Sequence, residues 1–158
     1  MTEPPYSSTI AGWREWVGLP GIDVPWIKAK VDTGARTSSL HAFDIEVTGE
    51  AGKEWVRFGV HPWQESEEDA VTVEFPVHDR RSVRSSSGHE EERIVVLMDV
   101  TMLGHTVPAE VTLTNRDSMG FRMLIGREAL RQGFLVDPAR SYLGGRPPRP
   151  VRRANRGR

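Results

Sequence analysis

Short runs in which apolar and polar residues alternate recur along this chain, separated by turn-forming clusters. In Pro25-Trp26-Ile27-Lys28-Ala29-Lys30-Val31 the apolar Ile27, Ala29 and Val31 alternate with Lys28 and Lys30. A period of two puts successive side chains on opposite faces of a strand. The same reading predicts strands over Ser39 to Thr48, with Phe43, Ile45 and Val47 on one face, and over Glu54 to Val60, with Val56, Phe58 and Val60 on one face. Ala70 to His78 forms another, and Pro76 suits an edge or a bulge there, because proline cannot donate to a ladder. Arg93 to Leu103 and Thr106 to Thr114 predict a hairpin around Gly104-His105. Phe121 to Ile125 is a short buried strand. Gly126 to Gln132 fits one or two helical turns ended by Gly133, and Phe134 to Asp137 is a last strand, which Ser141-Tyr142-Leu143 could extend. Ile10 to Leu19, with Trp13, Trp16 and Val17, is open to either a strand or a short helix.

This sum of short strands predicts a mostly-β domain. Length allows one domain with tails: residues 1–9 as a flexible N-terminus, 10–143 as the folded body, and 144–158 as a disordered Arg/Pro/Gly-rich tail. Six arginines and no acid lie in 144–158, so the body carries −7 once those six are taken from the net charge of −1. Cysteine is absent, which excludes disulfides, thiolate metal sites and a cysteine nucleophile. No run of 18 apolar residues and no leader pattern occurs, so a cytoplasmic protein with no membrane contact is expected.

Chemistry enters at Val31-Asp32-Thr33-Gly34-Ala35, where the 25–31 strand ends in a tight polar turn. As a bare turn, Asp-Thr-Gly needs no catalytic explanation: aspartate caps and glycine takes unusual backbone angles. Downstream, however, stands Arg122-Met123-Leu124-Ile125-Gly126-Arg127-Glu128. Together the two segments resemble the halves of a retropepsin-like aspartic peptidase subunit. That resemblance implies a closed β-barrel of the acid-protease fold with one short C-terminal helix. It makes Asp32 the catalytic carboxylate, with Thr33 and Gly34 shaping the catalytic turn.

Metal-free peptide hydrolysis of this kind uses two carboxylates about 3 Å apart that share a proton, one taking a proton from water while the other donates to the scissile carbonyl. The chain carries a single Asp-Thr-Gly, so a homodimer would supply the second aspartate on a two-fold axis. Ala35 has no hydroxyl to donate toward the carboxylate, which predicts activity nearer neutral pH than in relatives with Ser or Thr there.

The resemblance is closer still to the bacterial family often labelled "ATP-dependent zinc protease", which includes the RimB-type proteins. It is carried by Lys28 to Ala42, by Val83-Arg84-Ser85-Ser86-Ser87-Gly88-His89 and by Phe121 to Leu130. Neither word of that label finds support in the residues: there is no Gly-x-x-x-x-Gly-Lys loop and no His-Glu-x-x-His, so no cofactor and no metal are expected. Arg36 follows the active-site alanine where retroviral enzymes usually carry aspartate, which suggests an acidic substrate. Asp79 to Glu92 would by position be the flap, bringing Arg80, Arg81, Arg84 and nearby Arg93, with Ser85 and Ser86 at its tip. These arginines read either as a cationic lid or as a solvated loop paired with Glu90, Glu91 and Glu92. Ala35, Arg36, Arg84, Ser85 and Ser86 are thus the expected substrate-binding residues.

RimB-type proteins are associated with a ligase that adds glutamates to a ribosomal protein, so the resemblance implies a glutamate-rich ribosomal protein tail as substrate. The basic tail could make a weak RNA contact through phosphates. The alternative is a non-catalytic β-barrel that binds or regulates the glutamate ligase.

Overall fold

The computed structural model describes residues 9–64, 66–84, 88–115 and 120–152, with the backbone alone at Val83 and Arg84. In chain order the strands are β1 (Thr9–Gly12), β2 (Arg14–Leu19), β3 (Val24–Val31), β4 (Ser38–His41), β5 (Phe43–Thr48), β6 (Trp55–Val60), β7 (Val71–Pro76), β8 (Asp79–Arg84), β9 (Glu90–Met102), β10 (His105–Thr114), β11 (Met123–Ile125) and β12 (Phe134–Asp137). A 3-10 turn (Pro20–Ile22) and two four-residue helices, α1 (Arg127–Leu130) and α2 (Arg149–Arg152), complete the described elements. The protein is mostly β, as its alternation predicts. The open Ile10–Leu19 stretch resolves into two strands divided at Trp13.

One sheet runs in the order β10-β4-β11-β3-β2-β9-β8, and β9 also pairs with β10. The pairings therefore run round in a ring, whose narrowest link is the single registered pair Gly18↔Thr101 between β2 and β9. Ile27, Ala29, Leu40, Val96, Val111, Met123 and Ile125 fill its interior and are buried. A three-stranded sheet, β5-β6-β7, packs on that core through Val56, Phe58 and Val60. Pro76 ends β7, an outer strand of that sheet, where a missing donor costs no ladder bond.

The expected Ser39–Thr48 strand is two strands in different sheets, broken at Ala42. Asp44 takes φ 51° and the register shifts between Phe43 and Glu46. This bulge turns Ile45 outward, so it does not share a buried face with Phe43 and Val47. The β9–β10 turn lies at Leu103-Gly104, one residue before the expected tip, with φ of 51° and 79°. Two left-handed residues match the twist of a two-residue hairpin.

Both ends of the described chain are bound to the body. Thr9 already pairs with Phe134 in the parallel β1–β12 sheet. Fully buried Glu15 accepts the amides of Gly12 at 2.7 Å and of Leu143 and Gly144, each at 3.0 Å. Arg14 and Arg146 stack on the Tyr142 ring. Beyond it, residues 149–152 of the expected tail form α2.

Candidate active site

β3 delivers Asp32 to the end of the ring. β11 lies parallel to β3, with Ala29 opposite Met123 and Val31 opposite Ile125, and antiparallel to β4 on its other side. This insertion brings the two segments singled out in the sequence side by side. The Asp32 amide donates to the Ile125 carbonyl at 2.9 Å. The Gly34 amide donates to Asp32 Oδ1 at 2.8 Å, and the Ala35 amide to the Asp32 carbonyl at 3.3 Å.

The far side of the turn is held by the start of α1. The amides of Arg127 and Glu128 donate to the carbonyls of Ala35 and Arg36 at 2.7 and 3.0 Å. Arg127 Nη1 donates to the Thr33 carbonyl at 3.3 Å, and the Gly126 amide to Ser38 Oγ at 3.0 Å. Gly126 is required here: a Cβ would sit 2.4 Å from the Thr37 carbonyl oxygen and 3.0 Å from that of Ala35. Asp32 is half-buried, while Thr33 and Gly34 are exposed.

Beside this turn opens a cavity of about 280 Å³. Ala35, Arg36 and Thr37 line it on the turn side, and Lys30, Ser39, His41, Arg93, Thr112, Arg122 and Leu124 are among the rest.

Residues 10–147 match the RimB-like family, described as "Retropepsin-like aspartic endopeptidase RimB". The chain belongs to this family.

Two curated relatives of this RimB-like chain bear the name "Probable alpha-L-glutamate ligase". The one from Shewanella halifaxensis is 48% identical over 136 residues, 86% of this chain and 30% of the relative. The one from Parasynechococcus marenigrum is 47% identical over 133 residues, 84% of this chain and 28% of the relative. The chain thus spans under a third of the length of these proteins. A solved structure from Legionella pneumophila, of a protein with unknown function, aligns at TM-score 0.72 and 27% identity, covering 87% of this chain and 99% of that one.

The segment from Asp79 to Glu92, expected by position to be the flap, pairs as a hairpin, β8 against β9, from Asp79↔Val95 to Arg84↔Glu90. Its first two arginines are engaged within the chain. Arg80 bonds Glu54 and Glu92, both at 2.6 Å, and Arg81 pairs with Asp79 and Glu110. Hydrogen bonds donated to Glu54 and then to Glu92 raise the Arg80 pKa, and one donated to Glu110 raises that of Arg81. The Arg80 amide, then the Arg81 guanidinium, hold the Asp79 carboxyl below its ordinary 3.8. For Arg80 and Arg81 the paired-loop reading therefore describes the structure better than the cationic lid. Their partners Glu54, just before β6, and Glu110, on β10, are remote in sequence, which local pattern could not reveal. Ser85 and Ser86 lie outside the described residues, as does the Arg84 side chain.

Arg36 is exposed and stands 3.7 Å from Glu128. The turn residues Asp32, Thr33, Gly34, Ala35 and Arg36 come together as one loop. Lys30, His41 and Arg122 were not expected at the cavity. Lys30 carried a signal, as the polar side of the strand running into Asp32. Arg122 stands in the strand expected to be buried from Phe121 to Ile125, and buried it is, but nothing local places it at a cavity. Among the described residues, no group of three His, Asp or Glu side chains is placed to hold a metal ion. Among the described residues, no helix is long and apolar enough to cross a membrane.

Proposed function

We propose that this chain is an aspartic endopeptidase whose active site is half-built in one chain and completed by a second copy. The observation that carries this reading is the pinned yet exposed turn. Asp32 is fixed by the Ile125 carbonyl and the Gly34 amide, while Thr33 and Gly34 face outward. A two-fold axis through that face would bring both Asp32 carboxylates to the roughly 3 Å spacing at which they share one proton.

In the proposed step, the ionised member of the pair takes a proton from water. That water adds to the peptide carbonyl, whose oxygen takes the proton of the other carboxyl. Collapse of the tetrahedral intermediate breaks the C–N bond, with a proton passing to the leaving amine. Ala35 supplies no hydroxyl to the dyad, so the working pH lies nearer neutral. The proposed substrate is a glutamate-rich tail, on a ribosomal protein. It is supported by relatives named as glutamate ligases and by the cationic cleft beside the turn.

The ligase names also favour a second reading, since this chain matches less than a third of each such protein. There the domain binds or regulates a ligase without hydrolysing anything. Incubating a glutamate-tailed peptide with wild type and with Asp32→Ala separates the two. Cleavage by wild type alone supports the peptidase; equal cleavage by both overturns it; cleavage by neither favours the binding partner.

A further inference from the structure

The cavity beside Asp32 is built on the outer face of four adjacent strands, β10, β4, β11 and β3. Their registers set Thr112, Ser39, Leu124 and Lys30 in one row. The next row on that face holds Thr114 and His41, and the His41 amide donates to the Arg122 carbonyl at 2.8 Å. The alternate residues Leu113, Leu40, Met123 and Ala29 point into the core and are buried. Strand alternation thus sets a polar floor directly on the hydrophobic core.

The charge of this cavity is one-sided. Lys30, Arg36, Arg93 and Arg122 line it, and among the described residues no aspartate or glutamate does, although the chain as a whole is nearly neutral. Two of the four are inside rather than at the mouth: the Arg122 residue is 8% exposed and the Arg93 side chain 14%. Arg93 Nε is buried with no hydrogen-bond partner, and its Nη2 stands 3.8 Å from the Glu91 carboxylate, which is itself mostly exposed. Withdrawing a guanidinium from water is costly unless an anion meets it. The planar fork of arginine matches a carboxylate with two parallel bonds, which an amide cannot return.

We propose that this cavity is a carboxylate-reading subsite, in which Arg93 selects a peptide with an acidic side chain next to the bond held at Asp32. Lys30 and the exposed Arg36 draw the acidic segment in from the rim. This inference rests on the peptidase reading for the position of the cut bond. Its charge selection is measurable without any cleavage.

The test uses two peptides of one sequence, ending in four glutamates or four glutamines. Binding to the full chain and hydrolysis by it are both measured at fixed ionic strength. The glutamate peptide is expected to bind at least about 10-fold more tightly, and Arg93→Gln to reduce that ratio by about 10-fold, as loss of one member of a charge pair does. Arg57→Gln, whose guanidinium pairs with Glu74 on the separate sheet, leaves the ratio unchanged. Lys30→Gln provides a second variant should Arg93→Gln not fold, and lowers the ratio in the same direction.

Equal binding of both peptides overturns the proposal, and so does a glutamate preference that survives substitution of folded Arg93 or Lys30 variants. Glutamate-selective binding without hydrolysis supports the subsite and counts against the peptidase. Hydrolysis of both peptides at equal rates does the reverse.

Discussion

The amide of Asp32 donates to the carbonyl of Ile125 across 2.9 Å, joining the end of β3 to the end of β11. One residue on, Gly126 lets the Ala35–Thr37 backbone lie against the start of α1. The aspartate is therefore held by backbone from a distant segment, and its geometry follows from how β11 enters the sheet.

Gly126→Ala tests that dependence. The added methyl would meet the Thr37 and Ala35 carbonyls, and backbone atoms cannot swing aside as a side-chain end can. A loss of about 3 kcal/mol of stability is expected, at the upper end for overpacking. Urea denaturation measures it, and an unchanged midpoint would remove the claimed close approach.

Glu15 is the second such junction. Glu15→Ala leaves the amides of Gly12, Leu143 and Gly144 without their acceptor. A buried orphan costs about 1–3 kcal/mol; the Gly12 bond is buried and those of Leu143 and Gly144 are partly so, and a total loss of about 2 kcal/mol is expected. Faster hydrogen exchange at those three amides would accompany it. Exchange unaltered at Leu143 and Gly144 would show that Glu15 does not anchor the C-terminal segment.

Some of this was legible in the sequence and some was not. β3, β6, β11 and the Asp32–Ala35 turn follow from alternation and local residue type. The break between β4 and β5 does not, because Phe43, Ile45 and Val47 keep a perfect period through a bulge at Asp44 that has no local mark. Arg80 and Arg81 read either as a cationic lid or as paired with Glu90, Glu91 and Glu92, and the choice stays open because their partners Glu54 and Glu110 are remote in sequence. Arg122 reads as the polar residue of the strand expected from Phe121 to Ile125, yet packing buries it at the cavity wall. Local pattern reports which face a residue takes; it does not report what the fold brings to that face.

The hairpin β8–β9 makes a pH prediction through Asp79. Its carboxyl is held below 3.8 in the folded chain, so the bonds to Arg80 and Arg81 add stability at pH above that value. That contribution is lost as pH falls through the folded-state titration, below 3.8. Because Asp79 is exposed, the effect is local and weakened by salt. An NMR titration of the Asp79 carboxyl is expected to show a midpoint under 3.8, shifted upward in Arg81→Gln. A midpoint at or above 3.8 would contradict the bonding described.

The central claim is that each chain carries half of a catalytic dyad. It is tested most directly by mixing wild type with Asp32→Asn and following hydrolysis of a glutamate-tailed peptide. If both aspartates are needed and subunits exchange freely, equal amounts of the two leave about a quarter of all dimers with two aspartates. The account predicts a specific activity that falls with the square of the wild-type fraction, and none for Asp32→Asn alone. A linear fall, or full activity in Asp32→Asn, would contradict it.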